Sequence, residues 1–116
     1  MNKLSLSFYY AVKGIIHAFR RERNMKIHTI MMVIVIIMGF AFNITASEWT
    51  SLLLIIGLVI GLEMTNTAIE ALVDLVTEEY KYLAAVAKNV AAGAVLFASV
   101  LAVIIAFIIF LPYINA

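Results

Sequence analysis

One stretch, Glu63-Met-Thr-Asn66-Thr-Ala-Ile-Glu70-Ala-Leu-Val-Asp74, carries most of the side chains able to do chemistry. Glu63, Asn66, Glu70 and Asp74 are spaced 3, 4 and 4 residues apart. At about 100° per residue they share one face of a helix. Met64, Ala68, Ile69, Ala71, Leu72 and Val73 cover the other faces. The uncharged apolar run 52–62 leads into this stretch with no turn signal between them. The two read as one helix that runs out of lipid hydrocarbon into a polar site. Carboxylates on a membrane helix are costly, and each marks a functional-site hypothesis. A solvated helix end would account for Asp74 but not for Glu63, which lies about 16 Å deeper at 1.5 Å per residue.

The elements that must position these residues follow from composition and pattern. The chain is 66% hydrophobic and 13% charged, with a mean hydropathy of +1.10. A soluble domain carries about 25% charge, so this is an all-α integral membrane protein with a single domain, 1–116. It has no Cys, which excludes disulfides and thiolate chemistry. The first 26 residues contain no signal-peptide pattern. They read as an amphipathic surface helix, with Leu4, Phe8, Val12, Ile15, Ile16 and Phe19 on one face and Lys13, His17, Arg20, Arg21 and Asn24 largely on the other. A nucleic-acid-binding helix is a poor rival, because the apolar face leads into lipid. Membrane-spanning helices are expected over 28–44, 49–76 and 84–111, the last stopped by Pro112 and anchored by Tyr113. Gly57 and Gly61, and the ridge Ala94, Ala98, Ala102 and Ala106, allow close helix approach. All eight Lys and Arg precede the first span or flank the loop between the second and third. The positive-inside rule then puts the N-terminus and the site in the cytoplasm and the C-terminus outside.

This topology brings Arg20 to Lys26, Glu63 to Asp74, and Lys88 with Asn89 to one level of the membrane. Mg²⁺ takes one or two carboxylates together with phosphate oxygens and water. Lys and Arg hold phosphate, and a carboxylate in a low-dielectric setting can act as a general base. The inventory fits phosphoryl transfer from a nucleotide to an acceptor held in the membrane. A lipid alcohol is the natural acceptor, with its hydroxyl at the interface and its tail in the bilayer. No GxxxxGK[ST], GxGxxG, HRD or DFG motif is present, so none of the common kinase architectures applies.

The 63–74 stretch resembles the signature of the prokaryotic diacylglycerol kinase family. Ala87-Lys88-Asn89-Val-Ala-Ala-Gly-Ala-Val95 resembles its second block, and Glu22-Arg-Asn24 with the basic surface helix resembles its N-terminal block. Glu22-Arg-Asn24, His28, Glu48-Trp49 and Phe110-Leu-Pro112 are closer to the Gram-positive branch, the undecaprenol kinases. The resemblance implies a homotrimer of three-span subunits in the bacterial cell membrane, using ATP and Mg²⁺. It implies that Glu63 is the catalytic base, that Asn66 positions the reacting groups, and that Glu22 and Glu70 hold Mg²⁺ with the nucleotide. Asp74, Lys88 and Asn89 are implied at the nucleotide, and Arg20 and Arg23 at phosphate or lipid. The family has Asp where this chain has Asn89. The amide keeps size and hydrogen bonding but lacks the charge of a cation ligand.

The preferred acceptor is undecaprenol, with diacylglycerol as the alternative. A small proton-coupled transporter and a non-enzymatic scaffold are readings of another class. Three spans, and carboxylates gathered toward one membrane face, argue against the transporter. Several residues have plainer readings. Lys88 can extend to the interface, Glu22 can pair with Lys26 at i,i+4, and Glu78 and Glu79 read as solvated loop charges. His17 reads as surface polar and His28 as interfacial, with no two-His metal site.

Overall fold

Four helices make up the fold in the computed structural model, which describes residues 2–116: α1 (Lys3–Arg21), α2 (Arg23–Phe42), α3 (Ala46–Val76) and α4 (Tyr82–Ile114). Asn2 caps α1 by accepting from the Ser5 N–H at 2.8 Å. Leu4, Phe8, Val12, Ile15 and Ile16 of α1 are exposed, and only Ala18 is buried. An uncovered apolar face opposite basic residues suits a helix lying in the membrane interface. The surface helix ends at Arg21 rather than at residue 26. Glu22 is extended, with φ −94° and ψ 122°, and both closes α1 and opens α2. One extended residue is enough to turn the chain from one helix direction to the next. Arg23 and Lys26 therefore ride on the first turns of α2.

Helices α2, α3 and α4 are each long and apolar enough to cross a membrane, with 20, 31 and 33 residues. A crossing needs about 20 residues, so α3 and α4 have turns to spare. α3 starts at Ala46, three residues earlier than the sequence pattern implies. The reason is a capping box: Thr45 accepts from the Glu48 N–H at 3.2 Å, and Glu48 Oε1 accepts from the Thr45 N–H at 2.9 Å. Asn43 makes the preceding turn in a left-handed conformation, φ 52°, which an Asn at a helix C-terminus tolerates.

The core lies at this end of the molecule. Ile44, Leu52, Ile109 and Phe110 form its buried centre, with Trp49 and Tyr113 packed against it. Trp49 tilts against Phe40, ring centres 4.9 Å apart, and lies over Gly39. A Cβ at Gly39 would come within 2.6 Å of the indole, so the α2–α3 turn needs the glycine. α4 does not stop at Pro112 but continues through it to Ile114. Pro112 lacks only the N–H that would face the Ile108 carbonyl, and the helix has just two residues left. The Tyr113 hydroxyl donates to Glu48 Oε1, and its ring lies 5.9 Å from that of Phe42, which holds this last turn. Ala98 of the alanine ridge is buried inside the subunit. Gly57 and Gly61 are exposed, and a Cβ on either would meet nothing within 4 Å.

Candidate active site

In a helix otherwise rich in exposed aliphatic residues, Glu63 is 1% exposed and Asn66 5%. The face that carries them is turned toward α2 and α4. Neither carboxylate oxygen of Glu63 has a hydrogen-bond partner, and neither has Asn66 Oδ1. His28 Nε2 lies 3.6 Å from Glu63 Oε2, beyond hydrogen-bond length. Asn66 Nδ2 donates to Glu70 Oε1 at 3.2 Å, and Thr67 donates to the Glu63 backbone carbonyl at 3.0 Å. A buried polar group without a partner costs about 1–3 kcal/mol. Several in one place are a reservoir that only a bound partner or water relieves.

These atoms face a cavity of about 230 Å³ walled by Asn24, His28, Glu63, Asn66 and Ser99, among others. A second space of about 280 Å³ lies between α2, α3 and α4 and shares Ile27, His28 and Ser99 with the first. Its remaining walls are apolar, Met31, Leu52, Val59 and Ala102 among them. The first cavity, which holds the polar side chains, thus adjoins an apolar groove. The arrangement suits an amphiphile whose polar end reaches Glu63 while its tail lies in the groove.

The other candidate residues divide into three sets. Glu70 is tied to Asn66 on the Glu63 face of α3, and half-buried Glu22 stands at the α1–α2 junction. Lys88 Nζ donates to Asp74 Oδ1 at 2.6 Å, tying the end of α3 to the start of α4. Lys88 is therefore held by Asp74 rather than reaching for the interface. Among the described residues the lysine ion pairs are Lys81–Glu79 and Lys88–Asp74, so Glu22 does not pair with Lys26. Arg20, Arg23 and Asn89 are exposed, and among the described residues their side chains touch none of these groups through a hydrogen bond or ion pair.

The family model described as prokaryotic diacylglycerol kinase matches residues 9–110. The chain belongs to the prokaryotic diacylglycerol kinase family. It is similar to the undecaprenol kinase of Bacillus subtilis, 42% identical over 97% of this chain and 91% of that protein. It is also similar to a diacylglycerol kinase of Synechocystis, 44% identical over 94% of this chain and 63% of that protein. With the diacylglycerol kinase of Escherichia coli K12 it shares 30% identity over 82% of this chain and 78% of the relative.

As a prokaryotic diacylglycerol kinase family member the protein is a lipid kinase, a phosphotransferase acting on a membrane lipid alcohol, and the transporter reading is set aside. Its site contains residues that sequence reasoning placed elsewhere or passed over. His28 is not merely interfacial: it faces Glu63 and walls both cavities. Ser99 walls both as well and was not singled out, although it is the one polar residue of α4 between Asn89 and Pro112. Ser99, like Glu63, is a polar group inside an apolar span. Asn24 and His28 share a face at i,i+4 spacing, a signal that stays hidden while residues 1–26 are taken as one helix.

Proposed function

We propose that the protein transfers the γ-phosphoryl group of ATP to undecaprenol, giving undecaprenyl phosphate. The observation that carries this reading is Glu63, buried with both oxygens free of hydrogen bonds, beside the point where a polar cavity meets an apolar groove. A long prenol has one hydroxyl and an apolar tail, which matches chamber and groove. Near-full-length similarity to an undecaprenol kinase supports this acceptor. Diacylglycerol is the second reading, supported by 44% identity to a diacylglycerol kinase.

In the proposed reaction Glu63 takes the proton of the lipid hydroxyl. The lipid oxygen forms its bond to the γ-phosphorus as the bond to the β–γ bridging oxygen breaks and ADP leaves. Asn66 orients Glu70 through their hydrogen bond. Glu22 and Glu70 are the residues to hold Mg²⁺. Among the described residues no three acidic or histidine side chains form a metal cage, and Mg²⁺ bound with nucleotide phosphates takes only one or two carboxylates. When bound, the ion neutralises charge on the phosphates. Lys88 exchanges Asp74 for nucleotide phosphate, and Asp74 is left for a cation or sugar contact. Asn89 contributes its amide at the nucleotide, and Arg20 and Arg23 contact phosphate or lipid. The working unit is a homotrimer, with the N-terminus and site in the cytoplasm and the C-terminus outside.

The test is ATP-dependent phosphorylation by the purified protein in lipid. Undecaprenol and diacylglycerol are offered side by side, with and without Mg²⁺, and Asn89→Asp is run in parallel. Mg²⁺-dependent transfer favouring undecaprenol is the expected outcome. Transfer favouring diacylglycerol replaces the acceptor. If only Asn89→Asp transfers phosphate, the missing charge at residue 89 is the lesion. If neither protein does, the kinase reading of this chain fails.

A further inference from the structure

Ser99 behaves unlike the other half-buried hydroxyls on these helices, Thr29 and Thr67. Ser7, Thr29, Thr50, Thr65 and Thr67 each donate to the carbonyl four residues earlier, at 2.8–3.0 Å. That bond is the usual refuge of a hydroxyl on an apolar helix. Ser99 does not make it. Its Oγ is buried and has no partner, and the residue walls both the polar cavity and the apolar groove. Glu63 walls the same cavity with two buried oxygens that only accept when ionised. An alcohol offers one O–H to donate and two lone pairs to accept with. The two side chains together present the complement: Glu63 accepts the O–H, and Ser99 donates to the oxygen.

We propose that Ser99 is a positioning residue for the lipid acceptor, donating its hydroxyl hydrogen to the acceptor oxygen where the polar cavity meets the apolar groove. The inference rests on the lipid-kinase reading of the site and adds to it how the hydroxyl is held. With one lone pair engaged by Ser99 and the proton directed to Glu63, the second lone pair is left to attack the γ-phosphorus. Atoms balance as in the reaction above, because Ser99 keeps its own proton. The acceptor class this selects is an alcohol whose only polar atom is its hydroxyl oxygen. The chamber then needs no further donor, and the chain beyond the first carbons meets aliphatic walls.

The test is Ser99→Ala, the residue type that already occupies positions 94, 98, 102 and 106 of the same helix. Acceptor concentration is varied at saturating MgATP, then MgATP at fixed acceptor, with thermal unfolding measured on both proteins. Loss of one hydrogen bond to the acceptor predicts that kcat/KM for undecaprenol falls about five- to tenfold, while KM for MgATP and the unfolding midpoint stay at wild-type values. Unchanged kcat/KM for the lipid, with an active wild type, overturns the role of Ser99 and leaves the kinase reading intact. A lowered midpoint with KM for MgATP raised in step makes Ser99 a structural residue and overturns the proposal as well. A wild type inert toward both lipids removes the kinase reading and this inference together.

Discussion

Glu63 shows how the cost of burial can mark function at the scale of one residue. Its carboxylate is enclosed by its own chain and yet neither oxygen is hydrogen-bonded, a state that stability alone does not favour. Replacing it by Gln keeps the shape and removes the base. The expected result is a fall in kcat of about 10²- to 10⁴-fold, with nucleotide binding retained; steady-state kinetics beside a nucleotide titration separates the two. Wild-type turnover in Glu63→Gln would remove the residue from the reaction. The helical spacing of Glu63, Asn66, Glu70 and Asp74 was legible in the sequence because it is local. The facing of His28 on Glu63, and of Ser99 on the same chamber, was not. Both depend on how α2 and α4 rotate against α3, which no periodicity within one segment reveals. Lys88 was legible as a charge at the boundary, but its choice of Asp74 as partner needed the fold.

At the scale of the elements, three apolar segments and one amphipathic helix were legible because composition and period specify them. Their ends were less so. Glu22 is an ordinary helix former by type, yet the chain turns there. Pro112 is a helix breaker by type, yet α4 runs past it because Glu48 and Phe42 grip Tyr113 from outside the helix. At Pro112 tertiary contacts override local preference, and at Glu22 the break has no side-chain hydrogen bond behind it. Gly39 gives a test of this packing. Gly39→Leu forces a side chain into the Trp49 indole, and overpacking of this kind costs about 1–3 kcal/mol. Unfolding in mixed micelles should show the variant destabilised by that amount. Wild-type stability would mean that the indole can move aside and that the α2–α3 turn is looser than its contacts imply.

For the whole molecule, the question is what lies against its open faces. Gly57 and Gly61 leave a smooth exposed strip on α3, of the kind that lets helix backbones approach closely. If the proposed homotrimer seats a second subunit there, Gly61→Leu lowers the mass of the detergent-solubilised complex toward that of one chain while helix content persists. An unchanged mass would move the subunit contact elsewhere. The way the spans are fastened has a consequence for where substrate lies. Glu48 binds both the Thr45 N–H and the Tyr113 hydroxyl, so the start of α3 and the end of α4 are clasped at one end, with the end of α2 joined through the short turn. Away from the clasp, two cavities lie between α2 and its neighbours. That half of α2 is not loose, because Met25 in its first turn is fully buried, so the groove is a standing gap between fixed helices. Under the proposed reaction, a lipid tail lying in that groove would stay among aliphatic side chains while its hydroxyl reached Glu63.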